Sequence, residues 1–112
     1  MAVTTDGFQT VAPTAQTSTD AYATIGAIDT GPWKSLAYTM KVATFAITWT
    51  VYGANLADYS DETVVQAEAN VAVGTVGTYV VAQAPFRYYR AKIKSTVGGS
   101  HGVATFVGIA KP

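Results

Sequence analysis

Short runs of alternating apolar and polar residues fill the chain from residue 21 onward, and turn residues separate them. Alternation with a period of two places successive side chains on opposite faces, as in half-buried β-strands. We predict seven strands, at residues 22–28, 35–42, 45–52, 63–69, 78–82, 86–96 and 103–110. No stretch predicts a helix longer than one turn. Short strands at this spacing predict an all-β, two-sheet β-sandwich, jelly-roll-like or immunoglobulin-like, with a barrel as the alternative.

Two of these runs define the core most clearly. In the run 45–52, Phe45 shares its face with three further apolar residues, and in the run 86–96 the apolar face is the one opposite Arg90. The apolar faces of half-buried strands are the faces that a sandwich buries. We therefore expect the following side chains to be largely buried: Ile47, Trp49, Val51, Tyr89, Ala91 and Ile93.

The first twenty residues have a different composition, rich in Thr, Ala, Ser and Gln. Beyond Met1, Phe8 is the only large apolar residue among them. This composition predicts an extended N-terminal arm over 1–20 that precedes a sandwich domain over 21–112. Such an arm becomes ordered only through contacts, either along its own domain or on neighbouring subunits. Phe8, Val11 and Pro13 are the candidate partner-binding residues of the arm.

The surface of the predicted domain carries little charge. Of the 112 residues, 49% are hydrophobic and only 12% are charged, with a formal net charge of zero, whereas about 25% charge is usual. Little repulsion keeps copies apart, so we expect self-association, with a homotrimer favoured. There is no cysteine, and no apolar run is long enough for a signal sequence or a membrane span. We expect a soluble, unprocessed chain that binds no membrane.

Catalytic and metal-binding sets are hard to assemble from this composition. His101 is the only histidine and lies in a glycine-rich turn, where an exposed polar tip is the expected role. Zinc would need several His or Cys ligands. Asp58, Asp61 and Glu62 crowd one loop and are of a type that calcium prefers, although a solvated loop is the simpler interpretation. We predict a protein that is not an enzyme and needs no cofactor.

The run 86–96 also carries a ladder of cations on its polar face. Arg90, Lys92 and Lys94 alternate with apolar residues and point to one side, as does Tyr88. Three interpretations are open: a solvated face, an interface to an acidic protein surface, or a nucleic-acid site. Zero net charge argues against nucleic acid. Arg90, Lys92 and Lys94 are therefore candidate partner-binding residues.

Two stretches and a hairpin resemble small β-sandwich proteins of tailed-phage virions: TWTVYGAN at 48–55 followed by Asp58, FRYYRAKI at 86–93, and the glycine-rich hairpin at 98–102. The resemblance implies a head decoration or cement protein on the virion, commonly trimeric, that stabilises the phage head by binding major capsid protein or another virion protein. The same stretches are more distantly similar to the discoidin-like, galactose-binding jelly roll. The alternative function is thus a carbohydrate-binding module of a phage fibre or of a tail or neck component.

Overall fold

The structure, a computed structural model, describes residues 2–5, 8–31 and 34–111. Within them lie nine β-strands: β1 (Ala2–Thr5), β2 (Phe8–Thr17), β3 (Ala23–Asp29), β4 (Ser35–Ala43), β5 (Ile47–Ala54), β6 (Thr63–Val71), β7 (Val76–Val81), β8 (Tyr88–Ser95) and β9 (Val103–Lys111). All seven predicted strands are present, with ends within two residues of the prediction. No helix among the described residues is long and apolar enough to cross a bilayer.

The strands form two antiparallel sheets, in the orders β1-β2-β9-β4-β7 and β3-β8-β5-β6. The neighbours follow a nested pattern, because β2 pairs with β9, β3 with β8, β4 with β7 and β5 with β6. One long hairpin rolled over into two facing sheets gives this order, which is the jelly roll. The predicted all-β sandwich is confirmed, and the topology selects the jelly roll over the immunoglobulin-like arrangement.

The core lies between the inner faces of the two sheets. Strand β8 alternates between buried and half-buried positions along its whole length, as a strand with one core face must. The six side chains predicted to be buried are all at most 1% exposed. The largest buried side chains are Trp49, Tyr38, Tyr89, Phe106 and Leu36. Each such side chain contributes about 1.5–3 kcal/mol through removal from water.

Phe45 does not share this core face, contrary to the sequence prediction, since it is 47% exposed. The strand β5 begins only at Ile47, and a tight turn precedes it. Thr44, at the centre of that turn, has a positive φ of 76°, which breaks the alternation one residue before Phe45. The turn therefore carries Phe45 out of the strand and into solvent.

The N-terminal segment lies along the first sheet, which is the first of the two ways in which an arm over 1–20 could become ordered. Strand β2 pairs with β9 from Gln9 to Thr17, and β1 folds back on β2. The register shifts between Val11 and Thr14, around Pro13, whose missing N–H cannot serve a regular ladder. The side chains of Phe8, Val11 and Pro13 lie outside the described ones, so their anchoring role stays a prediction.

Candidate functional site

The cation ladder of β8 faces outward from the second sheet, and carboxylates of β6 and its preceding loop lie beside it. Arg90 Nε donates to Glu62 Oε2 at 2.5 Å, and Lys92 Nζ donates to Glu62 Oε1 at 3.0 Å. Lys94 Nζ lies 3.6 Å from Glu68 Oε2. The ladder is thus largely neutralised within the chain, because three cations meet two carboxylates.

Each cation of the ladder also rests on a tyrosine ring. The Arg90 guanidinium lies 4.1 Å from the centre of the Tyr59 ring, and Lys92 Nζ lies 4.6 Å from the centre of the Tyr52 ring. Lys94 makes the same contact with Tyr22 at 4.8 Å. Cations on aromatic faces gain attraction and lose freedom. The structure brings the three candidate residues together, but as an internally satisfied layer.

Titration behaviour in this layer follows from the same contacts. Burial alone would raise the pKa of Glu62, but hydrogen bonds from Arg90 and Lys92 outweigh it, and the pKa of that carboxyl is lowered. Burial raises the pKa of Tyr59 to about 12, although the nearby Arg90 opposes the rise. The Tyr59 hydroxyl donates to the Tyr89 carbonyl at 3.0 Å. The layer therefore holds Glu62 ionised and Tyr59 neutral over a wide pH range.

The three acids of the 55–62 loop do not converge on one site. Asp61 accepts the backbone N–H groups of Asn55 and Leu56, at 3.0 and 3.1 Å. Asp58 accepts the Ser60 N–H at 2.9 Å, and Glu62 belongs to the cation layer. No group of three potential metal ligands occurs in the described part of the chain. Asp58 and Asp61 shape the loop, and the predicted possibility of a shared calcium site has no geometric support.

His101 is exposed, as predicted, and it also contacts neighbouring polar side chains. Its Nδ1 lies 2.9 Å from Ser95 Oγ, which in turn lies 2.9 Å from Ser18 Oγ. Asp20 Oδ1 is 3.9 Å from the same His101 nitrogen. A catalytic triad needs serine and acid on opposite ring nitrogens, so this arrangement is not one. It ties the β2–β3 connection to the β8–β9 loop, and the long sequence separations left no signal for it.

The outer face of the first sheet is uncharged between Lys41 and Lys111 and carries aliphatic and threonine side chains. Its outward positions there, on β4, β7 and β9, are Ala37, Thr39, Thr78, Val80, Val107 and Ile109. Ala37 lies directly between Val80 and Ile109 in the strand register. A methyl group between two branched side chains leaves a shallow depression of about 270 Å³. Sequence analysis did not single out this face, because it depends on which strands are neighbours.

Four strands form the sheet edges, and three of them carry features that discourage further pairing. Strand β1 is only four residues long, β3 has a bulge between Ile25 and Ile28, and β6 has register shifts and carries Glu68. Strand β7 (VGTYVV) has no charge, proline or register shift, and its Val76 and Val80 are 54% and 66% exposed. Proteins normally protect such edges. Strand β7 is therefore the free edge best suited to pairing.

Comparisons with known proteins support the fold. A solved chain of Bacillus endospore appendages, described as a novel family of disulfide-linked pili, superimposes with a TM-score of 0.59 and 19% sequence identity. The match covers 93% of this chain and 86% of that one. No protein-family model matches the chain, and no curated protein matches it. This likeness establishes a shared β-rich fold.

Proposed function

We propose that this chain is a non-enzymatic structural protein whose copies assemble with one another, and that the free edge of β7 is the principal contact. The observation that carries the proposal is the absence of charged residues, proline and register shifts from this six-residue edge strand. An unpaired edge offers backbone N–H and C=O groups that another chain can complete by adding a strand. The aliphatic side chains of the outer face beside β7 would add apolar contact area.

The fold neighbour supports this proposal, since the solved appendage chain forms pili. Low charge and zero net charge support it as well, because close packing of copies meets little repulsion. One difference is chemical. These 112 residues contain no cysteine, so copies of this chain cannot be linked by disulfides. Its assembly contacts are noncovalent and must bury enough area, at least about 1,000 Å² in total, to persist.

The particular assembly is a finer proposal that rests on the resemblance of residues 48–55 and 86–93 to phage virion proteins. In that form the copies are homotrimers on a phage head and bind major capsid protein. Binding to purified capsids and a trimer mass in light scattering would support it, whereas open-ended filaments would not. The carbohydrate-binding alternative has less support, because a cation of the chain already lies against each of the rings of Tyr22, Tyr52 and Tyr59.

A matched pair of variants tests the role of the edge. Thr78 on β7 and Thr39 on the interior strand β4 are directly opposite in register, and both are exposed on the same face. We expect Thr78→Lys to raise the concentration for assembly about tenfold or more in sedimentation velocity, because a lysine on an edge opposes pairing. Thr39→Lys is the control and should have a smaller effect. Equal effects of Thr78→Lys and Thr39→Lys would indicate that the outer face of the sheet, and not the edge of β7, makes the contact. A parent protein that is monomeric at all concentrations would refute self-assembly.

A further inference from the structure

Every second residue of β7 directs its backbone groups away from the sheet, and the register with β4 shows which residues these are. The Val42 N–H donates to the Thr75 carbonyl at 3.1 Å, and the pairing of β4 with β7 continues from there in an unbroken register. Hydrogen-bonded and non-hydrogen-bonded residue pairs alternate along an antiparallel ladder. The residues of β7 whose N–H and C=O groups point outward are therefore Val76, Thr78 and Val80.

The other three edges of the described sheets are poor partners for this strand. Strand β1 has only four residues, β3 is bulged, and β6 has register shifts and carries Glu68. Such features discourage the addition of a strand. The edge that remains for β7 to pair with is β7 of a second copy.

The outward backbone groups select one antiparallel register between two copies of β7. A hydrogen-bonded pair must join two residues whose backbone groups both point outward. This condition is met when Thr78 lies opposite Thr78 of the second copy, which places Val76 opposite Val80. A shift by two residues in either direction would leave an outward residue of each strand without a partner in the other β7.

The side chains of β7 fit this register on both faces. On the outer face, Val76 and Val80 are 54% and 66% exposed, and each would lie beside the other in the second copy. Cross-strand pairs of branched side chains stabilise sheets. On the core side, Tyr79 would lie opposite Gly77, in a close pair with Cα atoms about 4.5 Å apart. A glycine at that position leaves room for the aromatic ring of the other copy.

The core side of the second sheet is uncovered just beyond β7. A Cβ atom on Gly77 would lie 2.9 Å from Val71 and 3.2 Å from the Trp49 ring, so β7 covers these two residues. Ala69 of β6 lies opposite Trp49 in the register and faces the same side, yet it is exposed. A strand added to β7 would continue the first sheet over Ala69.

We propose that two copies pair β7 with β7, antiparallel about a two-fold axis at Thr78, so that their first sheets form one continuous sheet. This inference rests on the proposed function and names the partner of the β7 edge. The contact is isologous, and it occupies the free edge of both copies. The unit of assembly is therefore a dimer, and larger assemblies are built from such dimers through a separate contact.

Opposite charges at Thr78 test the two-fold contact. Thr78→Lys and Thr78→Glu each place like charges opposite one another, whereas their mixture can place unlike charges there. We expect the equimolar mixture to associate at a concentration about threefold or more below that of either variant in sedimentation velocity. Native mass spectrometry, with one variant isotope-labelled, should show an excess of mixed dimers.

The same two substitutions at Thr39 are the control. Thr39 lies opposite Thr78 on the interior strand β4, so the Thr39 residues of two paired copies would be about 14 Å apart. A mixture of Thr39→Lys with Thr39→Glu should therefore gain much less than the Thr78 mixture. Equal gains in the two mixtures would overturn the two-fold axis at Thr78.

Single cysteines test the register, since the chain has no cysteine of its own. Hydrogen-bonded pairs have Cα atoms about 5.5 Å apart, within the range of a disulfide. Under mild oxidation, Thr78→Cys should cross-link with itself. Val76→Cys should cross-link with Val80→Cys in a mixture and much less with itself.

The outcomes separate this inference from the proposed function. If these cross-links do not form and the Thr78 mixture gains no more than the Thr39 mixture, pairing of β7 with β7 is wrong. The proposed function survives that result if the parent assembles and Thr78→Lys still weakens its assembly more than Thr39→Lys does. A strictly monomeric parent overturns both.

Discussion

Removing a single buried oxygen should stabilise this protein. The Tyr38 side chain is fully buried, its ring packs on Phe106 with centroids 4.8 Å apart, and its hydroxyl has no hydrogen-bond partner among the described residues. A buried polar group without a partner costs about 1–3 kcal/mol of desolvation. Tyr38→Phe keeps the ring and deletes that cost. We expect the variant to be about 1 kcal/mol more stable, a rise of roughly 4 °C in Tm.

Tyr89→Phe is the matched control with the opposite sign. Tyr89 is also fully buried, but its hydroxyl accepts the Phe86 N–H at 3.2 Å. Its loss leaves that N–H without its partner and should destabilise the protein by about 1 kcal/mol. Urea unfolding followed by tryptophan fluorescence measures both variants, with unchanged m-values expected. If Tyr38→Phe is destabilised as much as Tyr89→Phe, the reasoning about the Tyr38 hydroxyl is wrong.

Three further predictions concern polar groups. Glu62→Gln should lower the free energy of unfolding by about 1–3 kcal/mol at pH 7. The stabilisation by the Glu62 carboxylate should be complete above about pH 4.5 and should be lost as the pH falls through the lowered pKa of Glu62. Urea unfolding midpoints measured over an acid pH series test this. The stability linked to Tyr59 should be present below pH 10 and lost as the pH rises towards 12, so Tyr59→Phe should flatten the alkaline part of the stability curve. Ser18→Ala should cost about 1–3 kcal/mol in thermal unfolding, because the Ser18 hydroxyl accepts the Gly102 N–H at 2.9 Å; an unchanged Tm would contradict that role.

Alternation was enough to predict the strands that have one core face. Trp49 lies in the alternating stretch 47–51 and Tyr89 in the alternating stretch 89–94, and both are buried as predicted. Strand β2 was missed because threonine and alanine occupy half of its ten positions and give little contrast between its faces. Threonine nevertheless favours strands, and β9 supplies the pairing that orders the segment. The composition of this segment therefore did not predict that it adds strands to the first sheet.

The environment of the candidate residues could not be predicted from sequence in the same way. The cations of β8 were visible as a ladder, but Glu62 lies 28 residues from Arg90 and reaches it only through the strand register. The free edge of β7 likewise depends on the strand order, in which β4 is its single neighbour. Local patterns specify a face, whereas pairing specifies what lies beside it. This is why the charge layer and the free edge emerged only from the fold.

Hydrogen exchange at β7 tests self-assembly through its edge most directly. Amide exchange of a peptide covering Val76–Val81 is compared between dilute, dispersed protein and protein concentrated into assemblies, with a peptide covering Ala23–Asp29 of the bulged edge β3 as the internal reference. Pairing at the free edge would place its outward N–H groups in hydrogen bonds and slow their exchange. We predict added protection at β7 upon assembly and little at β3. Assembly with unchanged exchange at β7 would contradict the account.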